Sequence, residues 1–312
     1  MDAKDLLEFS LVLPAEPTRK AELALEENLA LKELRLLEFL RQLKSVIVAY
    51  SGGVDSSVLA HYARSVLGPN AHIVIALSPS LAQSELEAAR QQAKQANFDL
   101  IEINTTEVES EDYRANDSMR CFFCKSTLFQ YLSEMQKRLS VNAITYGANV
   151  DDLSDYRPGH QAAKQYGVLA PLIEAGLSKS EIRELALKQG LPSWDRPQAA
   201  CLSSRFVEKT YITPSGLSLI DKLEQVVRDF DFRQVRVRYF TVDESARASV
   251  EVGSDELARF AAEPELAEKL IAALAVANER AGATIKQFEI DPDGYSQGKA
   301  AALMNSKRLA RD

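Results

Sequence analysis

The amino-acid sequence predicts an α/β protein, with a parallel-sheet domain over residues 1–205 and a smaller α+β domain over 206–312. Three observations predict it. Short apolar runs alternate with helical patterns as far as about residue 190, as they do when crossover helices cover both faces of a parallel sheet. A glycine loop joins the first run to the helix that follows it. Beyond residue 206 the apolar residues alternate along two segments, which suggests half-buried strands flanked by amphipathic helices.

The elements follow in order. Pro14 and Pro17 keep the N-terminal segment irregular, and an apolar stripe of Leu31, Leu34, Leu37, Phe39 and Leu40 predicts a packing helix from Arg19 to about Leu43. Strands are expected at 46–50, 72–77, 100–103 and 143–147, with helices at 55–66, 84–96 and 125–138 between them. Ser178, Glu181 and Gly190 read as N-cap, capping-box partner and C-terminal glycine of a further helix. In the second domain, strands at 235–239 and 246–252 accompany helices at 215–229, 254–263 and 266–281, with a last strand over 283–290.

Composition narrows the function. A chain of 312 residues that is 46% hydrophobic can bury a sizeable core. Its net charge of −8 argues against a large nucleic-acid surface. No apolar run approaches the roughly 18 residues of a spanning helix, so a cytoplasmic protein without membrane contact is expected. Three cysteines make no disulfide framework.

The strongest local signal is Ser51-Gly52-Gly53-Val54-Asp55-Ser56-Ser57, between an apolar strand and a helix. Two glycines let the backbone approach a phosphate, and successive N–H groups at a helix N-terminus form an anion site. Ser51, Ser56 and Ser57 offer hydroxyls, and Asp55 is a candidate helix cap or Mg²⁺ partner. The loop lacks the lysine of a Walker A motif. Cys121-Phe122-Phe123-Cys124, just before a predicted helix, and Cys201 leave three readings open. They are unrelated buried thiols, a zinc site short of a fourth ligand among His61, His72 and His160, or three thiolate ligands of a [4Fe–4S] cluster with one open iron.

The loop resembles the SGGxDS pyrophosphate loop of the N-type ATP pyrophosphatases, the PP-loop superfamily with its adenine nucleotide alpha hydrolase-like fold. Those enzymes cleave ATP between the α and β phosphates. From about residue 30 onward the chain resembles one branch, the LarE-type sulfur transferases. The matching pieces are the loop, Arg120–Lys125, Asn149–Gly159 with its DDLSDYRPG run, Trp194-Asp195-Arg196-Pro197, Ala200–Phe206 and Val235-Arg236-Val237-Arg238. The resemblance implies ATP, Mg²⁺ and a small nucleotide substrate, pyridinium-3,5-biscarboxylic acid mononucleotide, adenylated and then converted to a thiocarboxylate in nickel-pincer nucleotide synthesis. It further implies either a [4Fe–4S] cluster on Cys121, Cys124 and Cys201, fed by a sulfur donor, or a sacrificial Cys201.

By position, the resemblance makes Ser204, Arg205, Arg236 and Arg238 candidate clamps for phosphate or carboxylate. Asp151, Asp152 and Asp155 would orient Mg²⁺ or ribose hydroxyls, Arg157 would bridge to them, and Lys125 would neutralise phosphate. A reactive site at a domain junction favours a homo-oligomer. The chain departs from the family in its N-terminal extension and in Val207-Glu208-Lys209, where Pro-Tyr-Gly is common. Competing readings are tRNA thiolation, an amide-forming synthetase using ammonia, and a non-catalytic nucleotide sensor.

Overall fold

Four short apolar segments build the first sheet of the computed structural model, which describes residues 19–154, 158–197, 200–243, 245–283 and 285–295. In chain order the elements are α1 (Arg19–Leu43), β1 (Val46–Tyr50), α2 (Val54–Leu67), β2 (Ala71–Leu77), α3 (Gln83–Gln95), β3 (Leu100–Asn104), α4 (Glu111–Arg114) and α5 (Arg120–Leu139). Then come β4 (Ala143–Tyr146), α6 (Pro158–Gln165), α7 (Pro171–Glu174) and α8 (Lys179–Lys188). The strands are all parallel, in the order β3-β2-β1-β4, with Val46 of β1 opposite both Ala71 and Ala143.

The period of two along β1 sends side chains to opposite layers. Val46, Val48 and Tyr50 pack with Leu36, Leu40, Val58, Leu59 and Ile182, on the side of α1, α2 and α8. Ile47 packs with Phe129, Leu132, Ile144 and Ala162, on the side of α5 and α6. Leu36 and Leu40 are fully buried, so the expected packing role of α1 holds, but of the expected stripe Leu31 and Leu34 are exposed and Leu36 takes their place in the core; truncating Leu36 or Leu40 to alanine would cost about 2–5 kcal/mol. The capping box at Ser178 and Glu181 is formed, and no helix among the described residues is long and apolar enough to cross a membrane.

A second sheet follows. Its elements are α9 (Pro214–Arg228), β5 (Val235–Val242), β6 (Ser245–Val252), α10 (Ala258–Ala262), α11 (Pro264–Arg280) and β7 (Gln287–Ile290). β5 and β6 are antiparallel, and β7 adds parallel to β6. α9 and α11 cover it through Leu217, Ile220, Leu223, Leu270 and Leu274, and the same cluster includes Leu202 and Phe206 as well as Tyr113 and Val108 of the first unit.

Four details depart from expectation. α5 begins at Arg120, so the C-x-x-C pair lies inside the helix and not before it; Asp117 accepts the Met119 N–H at 2.7 Å and starts the turn early. β5 is buried on both faces at Val235–Arg238 instead of half-buried. The helix expected over 254–263 shrinks to Ala258–Ala262 because the Glu256 carboxylate accepts the Arg233 and Gln234 N–H groups and holds the chain in a turn. The last strand starts at Gln287, since the Asn278 side chain first bonds the Ile285 backbone in both directions.

Candidate active site

The strand order places a topological switch point between β1 and β4, where connections leave in opposite directions and ligands bind beyond the carboxyl ends. Residues 51–53 follow β1 there, and Gly147–Asn149 follow β4. Gly52 has φ +76°, and a Cβ on it would lie 2.7 Å from Ala89 Cβ on α3. A Cβ on Gly147 would lie 2.6 Å from Ser56 N. Glycine is therefore required by contact at both edges of the crevice.

Gly53 is the N-cap of α2 and supplies no side-chain cap, which leaves the first-turn N–H groups for an anion; the helix charge there stabilises one by about 0.3–1 kcal/mol. Two hydroxyls shape the loop from inside. Ser56 Oγ accepts the Ser51 N–H at 3.1 Å and donates to Gly53 O at 3.0 Å, while Ser57 Oγ donates to Gly53 O at 2.8 Å. Beneath them, Gln92 Nε2 donates to Tyr50 OH at 2.9 Å and to Ser57 Oγ. This supporting layer escaped sequence reasoning because Gln92 sits on a helix whose other glutamines face solvent.

Asp55 is held between two elements. Its Oδ2 lies 2.5 Å from Lys179 Nζ, and Asn149 Nδ2 donates to its Oδ1 at 3.4 Å. Asp151 accepts the Lys179 N–H at 2.7 Å, and Asp152 accepts the Asn149 N–H at 3.1 Å. Lys179 is a site residue the sequence reading missed; the signal was its place at the start of α8, directly after the Ser178 cap. Asp155 and Arg157 lie outside the described residues. Lys125 stacks 4.7 Å over the Tyr146 ring, and Gly159 makes room for it, since a Cβ there would meet Lys125 Cδ at 2.8 Å.

These groups border a cavity of about 650 Å³ that runs from Gly53 and Asp55 past Lys179 to Cys121, Cys201 and Ser204. A smaller cavity of about 310 Å³ lies beyond the ends of β1 and β2. Val74, Ile75, Leu128 and Phe129 give it apolar walls, and Ser78, Thr105 and Glu107 a polar end. Ser51, Lys125, Tyr146, Gly147 and Cys201 line both. An apolar slot next to a phosphate-binding loop suits a nucleotide, with the base in the slot and the phosphates at the loop.

The three thiols meet at this junction, all free, with Cys121 and Cys201 exposed and Cys124 half-buried. Cys121 faces the larger cavity, Cys124 the smaller, and Cys201 both. Burial, then the neighbouring Cys201, Glu107 and Cys121, push the Cys124 thiol far above its ordinary range. Arg120 Nη2 lies 4.0 Å from Cys121 Sγ. Burial opposes its charge, but Cys201 and Cys121 outweigh that and hold the guanidinium above its usual range. Among the described residues no group of three or more His, Cys, Asp or Glu is placed to hold a metal ion.

The expected arginine clamps stand elsewhere. Ser204 borders the larger cavity, but Arg205, Arg236 and Arg238 line neither of the two. All three are buried. Arg205 forks onto Glu224 at 2.8 and 3.1 Å, and Arg238 onto Glu251 at 3.1 and 3.0 Å. Arg236 donates to Val235 O at 2.7 Å and stacks 5.2 Å from the Tyr295 ring. Burial would raise the Glu224 carboxyl, but Arg205, Arg236 and Arg228 outweigh it and keep it below the usual range.

Comparison with known proteins agrees with this geometry. Residues 36–138 match the NAD synthase family model. An uncharacterized Synechocystis protein is 38% identical over 269 residues, covering 85% of this chain and 94% of the relative. The pyridinium-3,5-bisthiocarboxylic acid mononucleotide synthase of Lactiplantibacillus plantarum is 27% identical over 290 residues, 91% and 98% of the two chains. An uncharacterized Methanocaldococcus jannaschii protein is 28% identical over 224 residues, 71% and 82% of the two.

Proposed function

This chain belongs to the LarE-type branch of the PP-loop ATP-dependent enzymes, and from that premise we propose that it adenylates a carboxylate of pyridinium-3,5-biscarboxylic acid mononucleotide and converts it to a thiocarboxylate. The observation that carries the reading is the shared junction, where the phosphate loop and the three thiols line two cavities that have Ser51, Lys125, Tyr146, Gly147 and Cys201 in common. The printed name of the Lactiplantibacillus relative supplies the substrate class.

The chain's own residues account for the activation step. N–H groups of residues 54–56, in the first turn of α2, hold the β and γ phosphates, and Asp55 would hold Mg²⁺, which when bound neutralises phosphate charge. A substrate carboxylate oxygen attacks the α phosphorus; the new O–P bond forms as the bond to pyrophosphate breaks. Lys179 and Lys125 neutralise charge on the departing and remaining phosphates. A sulfur nucleophile then attacks the activated carbonyl, forming C–S as the C–O bond to AMP breaks.

Cys121, Cys124 and Cys201 would hold a [4Fe–4S] cluster, which when bound supplies the sulfide. Because Cys124 is pushed up by burial, loading such a group must displace its proton. A second reading, sacrifice of the Cys201 sulfur, is favoured by one observation: of the three thiols, Cys201 alone lines both cavities.

The test is pyrophosphate release and mass spectrometry of the acceptor after anaerobic incubation with ATP, together with iron and sulfide analysis. Acceptor-dependent pyrophosphate and replacement of a carboxylate oxygen by sulfur are expected, with about four irons and four sulfides per chain. Dehydroalanine at Cys201 with no iron selects the sacrificial reading. Acceptor-independent hydrolysis, or full turnover with ammonia after all three cysteines become alanine, overturns both.

A further inference from the structure

Residues 200–204 carry Cys201 across the junction of the two cavities outside any strand, anchored to the first unit by Leu202 N–H on Ser80 O at 2.8 Å. Their carbonyls are gripped by the guanidinium of Arg205, which directly follows them, and by two from other elements. Arg205 Nη1 donates to Ala200 O at 2.6 Å and Cys201 O at 3.0 Å. Arg238 Nη1 of β5 donates to Ser204 O at 2.7 Å, and Arg120 Nη1 of α5 to Ser203 O at 3.0 Å.

Two of these arginines are themselves locked. Glu224 and Glu251 are fully buried and take the Nε and Nη2 edges of Arg205 and Arg238 as two-pronged pairs. In each case the remaining Nη1 reaches the loop. This is geometry that a planar five-donor fork supplies and an ammonium does not.

We propose that Arg205 and Arg238 are positioning residues for Cys201, through which the second sheet sets where that sulfur stands against the activated acceptor. The inference rests on Cys201 acting in sulfur delivery. It differs from a substrate-clamp role, in which the same guanidiniums would bind phosphate or carboxylate of the acceptor directly.

The test uses the full chain, purified anaerobically, as Arg205→Lys and as the paired variant Arg238→Met with Glu251→Met. The pair removes both buried charges together, so that no unmatched carboxylate is left to unfold the protein. Peptide-resolved hydrogen exchange is read over 200–206 and over the phosphate loop 51–57. Positioning predicts exchange about tenfold faster or more over 200–206 in both variants, with 51–57 unchanged. It also predicts that kcat for sulfur incorporation falls by about tenfold or more while the acceptor KM stays within about twofold. Unchanged exchange over 200–206, or an acceptor KM about tenfold higher with kcat retained, overturns it and returns the guanidiniums to the clamp role. Should the unsubstituted chain incorporate no sulfur, the proposed reaction fails on its own, and the exchange result still decides whether these arginines hold the loop.

Discussion

The two halves of the site are built from opposite materials. Around residues 51–57 the anion site is backbone: N–H groups, a helix end, and glycines whose missing Cβ atoms make room. Around residues 200–204 the grip is side chain, with guanidinium forks on carbonyls and buried carboxylates behind them. A backbone site is read from a short run of residues, with Ala89, Gln92 and Gly147 leaving it room or bracing it. A side-chain cage is specified by partners far apart in sequence, and it fails when either partner is lost.

The contrast can be broken at its strongest point first. Asp55→Ala should abolish pyrophosphate formation, since it removes the one acidic group on the phosphate loop; near-normal release in a pyrophosphate assay would detach the loop from catalysis. Cys201→Ala should stop sulfur incorporation yet leave ATP affinity within about twofold by calorimetry, because the backbone half stays intact. On the cage side, Glu224→Gln should destabilise the chain by about 3–5 kcal/mol in urea unfolding, since it strands Arg205 and Arg228. A loss no larger than that of an exposed ion pair, about 1 kcal/mol or less, would contradict the cage.

The smallest expected effect is a pH dependence. Burial raises the folded-state pKa of Cys124, so its contribution to stability is fully present below the unfolded thiol pKa of about 8.5 and is lost as pH rises above it. The metal-free chain should therefore lose Tm faster than Cys124→Ala between about pH 8.5 and 10.5. Parallel curves for the two proteins would remove the buried-thiol account.

The same contrast explains what was legible in the sequence. The loop, the parallel order of elements and the Ser178 capping box were readable because each depends on neighbours within a few residues. The arginine cage was not. Arg236 and Arg238 alternate with valines as they would on a solvated strand face, and the carboxylates that lock Arg205 and Arg238 stand one helix or one strand away. A signal did exist in Glu224, which falls on the apolar stripe of Leu217, Ile220, Leu223 and Val227, where a solvent-facing glutamate has no place. The early start of α5 was missed because Asp117 sets it from outside the helix, ahead of two phenylalanines and two cysteines of middling helix preference.

The contact between Gly52 and Ala89 has a consequence for how this sequence can vary. With a Cβ at 52 only 2.7 Å from the Ala89 methyl carbon, the two positions behave as a single heritable unit. A lineage acquiring alanine at 52 would need glycine at 89 first, and would still meet the position-89 Cα at 3.2 Å. Even then it would carry a left-handed residue at a cost of about 1–2 kcal/mol. The reverse path is open, since Ala89→Gly alone meets no clash at the loop. Selection on the phosphate loop therefore reaches into α3, and the order in which the two changes arise decides whether the intermediate survives.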